Sequence, residues 1–243
     1  MAHPPIANLI AHWKMNDNAA NTTVVDSRGS YNGTWSRNTE NDDVAGLAAN
    51  TNTALNCTNA NYADCGDVTA FNYNTPFSVA VWVTARRSVV SKVSAGTNKG
   101  WEVFWSSSNS KMHILLANDI SGGKYIQRIT DAISVATKHL VATYNGSGNR
   151  SGLKIYVNGV RADTTDGGAA SLSDSIILTD TLKIGNRTTS YINQGFMDDV
   201  RIYNIELSQA QIDTIYNGGA GTEDETAPVS GALPNSIFFG FNF

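Results

Sequence analysis

Charge is scarce in this 243-residue chain: Asp, Glu, Lys and Arg together make up 16% of it, and the net charge is −4. No basic cluster occurs, which argues against nucleic acid as a partner. No apolar run reaches the length of a membrane span, so no transmembrane segment is expected. The opening Met1-Ala2-His3-Pro4-Pro5 lacks the basic start and apolar core of a signal peptide. Cytoplasmic synthesis followed by a virion or extracellular location is the expectation. Cysteine is limited to Cys57 and Cys65. If Leu55–Asn56–Cys57 and Tyr62–Cys65 form a hairpin, Cys57 pairs near Tyr62; a disulfide is open but not indicated, no metal spacing exists, and two semi-buried thiols are the expectation. There is no repeat of fixed period.

What the chain has instead is 41% hydrophobic residues and 21 Gly, with Asn, Ser and Thr supplying its polar surface. That composition suits short strands joined by turns rather than a helical bundle or a disordered chain. Pro76–Thr84 alternates Phe77, Val79, Val81 and Val83 with Ser78, Ala80, Trp82 and Thr84, the clearest strand pattern present. Further strands are expected at Leu9–Met15, Ser88–Val93, Gly100–Trp105, Lys111–Ala117, Tyr125–Ile129, Lys138–Tyr144, Leu153–Val157 and Thr181–Gly185, with a hairpin over Ala54–Gly66. Asn158-Gly159 is a type I′ hairpin signal. Strands recurring about every dozen residues indicate two packed antiparallel sheets.

Gly195–Asn217 combines a strand, a turn and a helix. Phe196, Val200 and Ile202 share one parity and are expected to face inward. Asp198 shares that parity, and a buried carboxylate needs a cation or several donors to offset its desolvation. Ser208 with Gln211 forms a capping box, Leu207 staples onto Ile212, and Gly218 ends the helix. Residues 1–218 thus read as one all-β domain with one short C-terminal helix. Residues 219–243 read as an acidic linker (Glu223, Asp224, Glu225) followed by an apolar tail. Ile237, Phe238, Phe239, Phe241 and Phe243 do not describe a solvated terminus. Either they fold back on the domain or they dock on a partner, in a virion or a homo-oligomer, and docking is the expectation. On that reading, deleting residues 220–243 leaves the melting temperature nearly unchanged.

Several of these segments carry a family likeness. Leu9–Asp17, Asp26–Gly29 with Asn32–Thr34, Pro76–Val83, His139–Tyr144, Leu153–Gly159 and Asp198–Asn204, in that order, resemble the concanavalin A-like, laminin-G-like jelly rolls. The resemblance covers about Ile6 to Asn217 and implies a two-sheet antiparallel jelly-roll sandwich. The fold hosts lectins, glycanases, adhesion modules and virion proteins, so function has to be argued from sites. The resemblance also implies a structural calcium where the first strand and its loop meet the last strand. The matching donors are Asp17, Asp26, Asn32, Asp198 and Asp199, and calcium accepts such oxygens. The alternative is that Asp26 caps a turn and Asp199 pairs with Arg201.

Catalysis is disfavoured. The chain has five Glu, at positions 40, 102, 206, 223 and 225, and no E-x-D-x-E spacing that would place an acid and a nucleophile on one strand face. His12 and His139 have no Ser or Cys partner at a recognisable spacing and read as structural. Glycan binding needs exposed rings beside amides and carboxylates. Of the aromatics near loops, Trp105 and Tyr191 are the candidates, although aromatics of a sandwich more often fill the core. The leading expectation is a non-catalytic recognition module for a glycan or cell-surface polysaccharide; a virion structural protein is second and a polysaccharide-degrading enzyme third.

Overall fold

A computed structural model of the chain describes residues 6–68, 71–84, 87–187 and 194–225. In chain order the first strands are β1 (Leu9–Trp13), β2 (Thr23–Val24), β3 (Gly33–Trp35), β4 (Asp43–Ala45), β5 (Thr53–Asn56), β6 (Ala63–Asp64), β7 (Phe77–Val83) and β8 (Arg87–Val93). They are followed by β9 (Gly100–Trp105), β10 (Lys111–Asp119), β11 (Lys124–Ala132), β12 (Lys138–Tyr144), β13 (Leu153–Val157), β14 (Val160–Arg161), β15 (Asp163–Gly168), β16 (Lys183–Ile184) and β17 (Phe196–Tyr203). Helix α1 spans Gln209–Tyr216.

Two antiparallel sheets pack face to face. The eight-stranded sheet runs β14-β13-β12-β7-β17-β5-β4, with β1 added on β17. The nine-stranded sheet runs β15-β11-β10-β9-β8-β16-β6-β3-β2. Alternation of side chains decides what lies between them. Phe77, Val79, Val81 and Val83 of β7 meet Trp101, Val103 and Trp105 of β9 and Met112, Ile114 and Leu116 of β10 in one buried core.

Every residue of β7 is buried because its other face is covered too. Ala80 packs with Val141, Tyr156 and Tyr203 under Leu207, Ile212 and Ile215. Full burial of each of those three aliphatic side chains contributes about 1.5–3 kcal/mol. Helix α1 is held by the capping box expected from Ser208 and Gln211, and Asn217 (φ 49°) and Gly218 (φ 62°) adopt the left-handed conformation that terminates it. The eight-stranded sheet is therefore covered on both faces. Among the described residues no such helix covers the outer face of the nine-stranded sheet.

Three expectations change in the structure. The Ala54–Gly66 hairpin does not form: β5 pairs with β4 and β17, whereas β6 pairs with β3 and β16 in the other sheet. Cys57 and Cys65 are free and fully buried. The parity of β17 is also interrupted. Met197 pairs with Val83 and Asp198 with Trp82, but Arg201 pairs with Ala80, so a bulge with Asp199 at φ 48° adds a residue. Asp198 consequently lies on the outer, helix-covered face and Met197 takes the core position. Finally, the acidic stretch does not leave the domain at Gly218. Asn50 N–H donates to Ala220 O at 2.7 Å and Arg201 donates to Thr222 O, which fastens residues 219–225 across β17.

Candidate functional site

The outer face of the nine-stranded sheet is built by the register of its central strands. Because Trp101, Val103 and Trp105 point inward, Glu102 and Phe104 of β9 point outward. Phe104 lies opposite Ser88 of β8 and His113 of β10, giving one row across the sheet. Glu102 lies opposite Ser91 and Leu115, and Leu115 opposite Gln127, giving the next.

The Phe104 and His113 rings stack with centroids 4.3 Å apart and planes 13° from parallel. Gln127 Nε2 lies 3.1 Å from His113 Nδ1, an amide donating to the ring. That contact puts the imidazole proton on Nε2, which has no partner of its own. Burial, helped by the charge of Lys111, lowers the His113 pKa to about 4, so the ring is neutral at pH 7.

Beside this pair, Glu102 Oε2 meets Arg187 Nη1 at 3.1 Å, and Arg187 Nη2 donates to Asn98 Oδ1 at 2.7 Å. The Glu102 side chain is only 2% exposed. Burial pushes its pKa up to about 7, against the opposing effects of the Arg187 charge and the Ser88 hydroxyl. Glu102, Arg187, Phe104, Arg87, Ser88 and the Ser106–Ser108 turn surround a pocket of about 180 Å³. Glu102 is its one carboxylate among the described residues. Chemically the pocket offers a ring face, hydroxyls, a fixed guanidinium–carboxylate pair and a neutral imidazole nearby, which are the groups that recognise polyhydroxylated rings.

Trp105, the expected platform, adjoins this pocket but is 0% exposed in the inter-sheet core, with its indole N–H donated to Ser110 O at 3.2 Å. It presents no free ring face. The outward, partly exposed position belongs to its neighbour Phe104, and the alternation Trp101, Val103, Trp105 is the signal that identifies it. Tyr191 lies outside the described residues, as do Ile237, Phe238, Phe239, Phe241 and Phe243.

Each of the five expected metal donors has other partners, although Asp198 Oδ1 and Asp199 Oδ2 are buried with none. Both Asp26 oxygens accept backbone N–H groups, from His12 and Arg28 at 2.9 and 3.0 Å and from Ser30 and Tyr31 at 3.1 and 3.0 Å. Asn32 Oδ1 accepts from Asp26 N–H at 2.9 Å, and Asp17 Oδ1 from Val25 N–H at 3.1 Å. Asp199 Oδ1 takes the Arg201 guanidinium at 2.9 Å and lies 2.6 Å from His12 Nε2. Burial acts to raise Asp199, but the Arg201 and His12 partners overcome it and hold the pKa at about 2.

Asp198 accepts one N–H, from Leu47 at 2.8 Å. Burial raises its pKa to about 7, reinforced by Asp199 and Glu223 and opposed by the Leu47 and Thr51 donors. Protonation near neutral pH meets part of its desolvation. Among the described residues no three His, Cys, Asp or Glu side chains form a metal-holding group. With Asp26 saturated by N–H donors, the five do not fit one calcium site.

The segment after the helix completes this second polar cluster. Glu225 accepts from Ser27 Oγ, lies 2.5 Å from His12 Nδ1 and pairs with Arg28 at 3.6 Å. Glu223 accepts from Asn52 N–H at 2.7 Å and from the Asn16 amide at 3.1 Å. His139, buried between Trp82 and Tyr216 at 5.0 and 5.7 Å, has its pKa lowered to about 4 chiefly by burial. Both imidazoles sit in a packed structural setting.

Comparison with known proteins agrees with this architecture. Residues 57–213 match the sequence profile of a family described as "Laminin_G_3: Concanavalin A-like lectin/glucanases superfamily". The binding domain of Paraclostridial Mosquitocidal Protein 1 superposes with a TM-score of 0.59 at 16% identity, over 87% of this chain and 52% of that one. The binding domain of Botulinum neurotoxin serotype D gives 0.60 at 17% identity, over 88% and 51%. The serotype D ligand binding domain in complex with N-acetylneuraminic acid gives 0.58 at 18% identity, over 88% and 51%. The chain spans about half the length of these structures, and identities this low show the fold alone. No curated protein matches.

Proposed function

The chain belongs to the Laminin_G_3 family of the concanavalin A-like superfamily, and from that premise we propose that it is a non-catalytic carbohydrate-recognition module. Its binding surface is the pocket on the outer face of the nine-stranded sheet. The observation that carries this reading is the pocket that brings Phe104 together with the buried Glu102–Arg187 pair, with His113 stacked on the Phe104 ring beside it. An aromatic face packs against the apolar face of a sugar ring, while the ion pair and imidazole orient its hydroxyls.

Glycoside hydrolysis uses two carboxyl groups flanking the bond that breaks. The pocket supplies one among the described residues, which favours binding over turnover. Calcium has no part in the proposal, because Asp26, one of the expected donors, already accepts four N–H groups. A virion attachment role has the tail sequence as its support, notably Phe238, Phe239, Phe241 and Phe243, and no observation among the described residues favours it.

Retention on immobilised β-glucan, alginate or sialylated polymers tests the reading, with the same polymers assayed for new reducing ends. The expected result is retention of the parent on one polymer, its loss in Phe104→Ala, and intact polymer throughout. Release of reducing ends that depends on Glu102 would overturn the non-catalytic assignment.

A further inference from the structure

A second cavity of about 310 Å³ opens on the other side of Arg187, lined by Tyr62, Val93, Asp180, Lys183 and Asn186. Arg187 lines both cavities. The local chain path explains what Asn186 does there. β16 ends at Ile184, and Gly185 turns the backbone at φ 84°, where a Cβ would meet Cys57 Sγ at 2.8 Å. Only glycine fits that approach, and the turn delivers Asn186 to the cavity wall.

Asn186 is 4% exposed, and its Oδ1 has no hydrogen-bond partner. A buried unpaired acceptor is destabilising, and native folds keep few of them. Around it stand groups already placed for a polar ligand. Lys183 Nζ sits 5.8 Å from the centre of the Tyr62 ring and is held at 2.8 Å by Asp64. Thr181 Oγ1 donates to the same carboxylate at 2.9 Å. The cavity therefore pairs a fixed ring with an acceptor that lacks its donor.

We propose that this cavity is a second sugar subsite, in which a ligand hydroxyl donates to Asn186 Oδ1 and the sugar ring lies against Tyr62. This rests on the carbohydrate-recognition reading and adds the class of ligand: an oligosaccharide long enough to cross Arg187, rather than a single sugar. Size supports the extension. The first pocket, at about 180 Å³, is smaller than the roughly 300–1,000 Å³ usual for ligand sites, whereas the two together fall inside that range.

Calorimetric titration with β-glucan, alginate and sialylated oligosaccharides of one to six units tests it on the full chain. Affinity should rise steeply once the ligand is long enough to occupy both cavities. Asn186→Leu should weaken the longer ligands about tenfold and leave the affinity for the shortest binding unit unchanged. Its melting temperature should equal or exceed the parent's, because the unpaired acceptor is gone; a merely structural Asn186 would give the opposite. Tyr62→Ala, a change at a partly exposed ring, should reproduce the length-selective loss. Length-independent affinity, or long-ligand binding unchanged in both variants, overturns the subsite while leaving the first pocket intact. Absence of binding by every oligosaccharide overturns the recognition reading and the subsite with it.

Discussion

Glu225→Gln is the perturbation whose size the structure allows to be worked out. The carboxylate is 17% exposed and is held by His12, Ser27 and Arg28. Burial acts to raise its pKa, yet His12 and Ser27, with the charge of Lys14, bring it from 4.5 down to about 2. A group this close to solvent is screened, so the pairing is worth about 1–2 kcal/mol rather than the full linkage value. For a domain of this size that corresponds to a fall in melting temperature of about 2–8 °C at pH 7. Because the folded carboxyl titrates below its unfolded value, its contribution is complete above pH 4.5 and fades as the pH falls towards 2. Thermal melts of parent and variant between pH 2.5 and 7 should therefore converge at the acid end. Truncation after Gly219 should cost more than the single substitution, since the Arg201–Thr222 and Glu223–Asn52 bonds go as well. This replaces the expectation that the domain ends at Gly218. Equal melting temperatures for the full chain and that truncation, or a Glu225→Gln effect independent of pH, would refute the reasoning.

Three further outcomes follow from the polar cluster under that segment. Asp198→Asn should stabilise the fold at pH 8, with the advantage shrinking as the pH falls from about 7 to 3.8, because the folded carboxyl keeps a proton that the unfolded chain has lost; melts across that range measure it. Arg201→Met should cost about 3–5 kcal/mol in urea unfolding, since it leaves the buried Asp199 charge without its guanidinium. Chelation should leave the melting temperature unchanged, and Asp26→Ala should lower it equally with or without added calcium, because four N–H groups already occupy that carboxylate; a calcium-dependent melt would reopen the metal site.

Much of the sandwich was legible because period-two alternation is strong where one face meets the core. β7, β9, β12 and β13 fall at or within a residue of the expected bounds. The turn chemistry was equally readable: Asn158 and Gly159 both take positive φ, 51° and 77°, as a type I′ turn requires. β15, reading D-T-T-D-G-G, was missed since an exposed edge strand has no hydrophobic alternation; its pairing with β11 is reinforced by Arg128 contacts to Asp163 and Asp166.

The bulge at Asp199 carries no sequence signal, and one added residue was enough to move Asp198 from the core to the opposite face. The candidate site was half legible. The alternation of β9 separates the inward Trp105 from the outward Phe104, but Arg187, which completes the pocket, and His113, which stacks on Phe104, come from distant positions. Nothing local in the sequence places either beside Glu102. The acidic composition of Glu223–Glu225 read as solvated because its partners, His12, Asn16, Ser27 and Asn52, lie about 170 or more residues earlier.

The most direct test of the recognition surface is a crystal structure of the chain with whichever oligosaccharide it retains. A sugar ring stacked on Phe104, with hydroxyls bonded to Glu102, Arg187 or His113 Nε2, is the result this account predicts. A sugar bound instead on the helix-covered sheet, around His12 and Arg28, would contradict it.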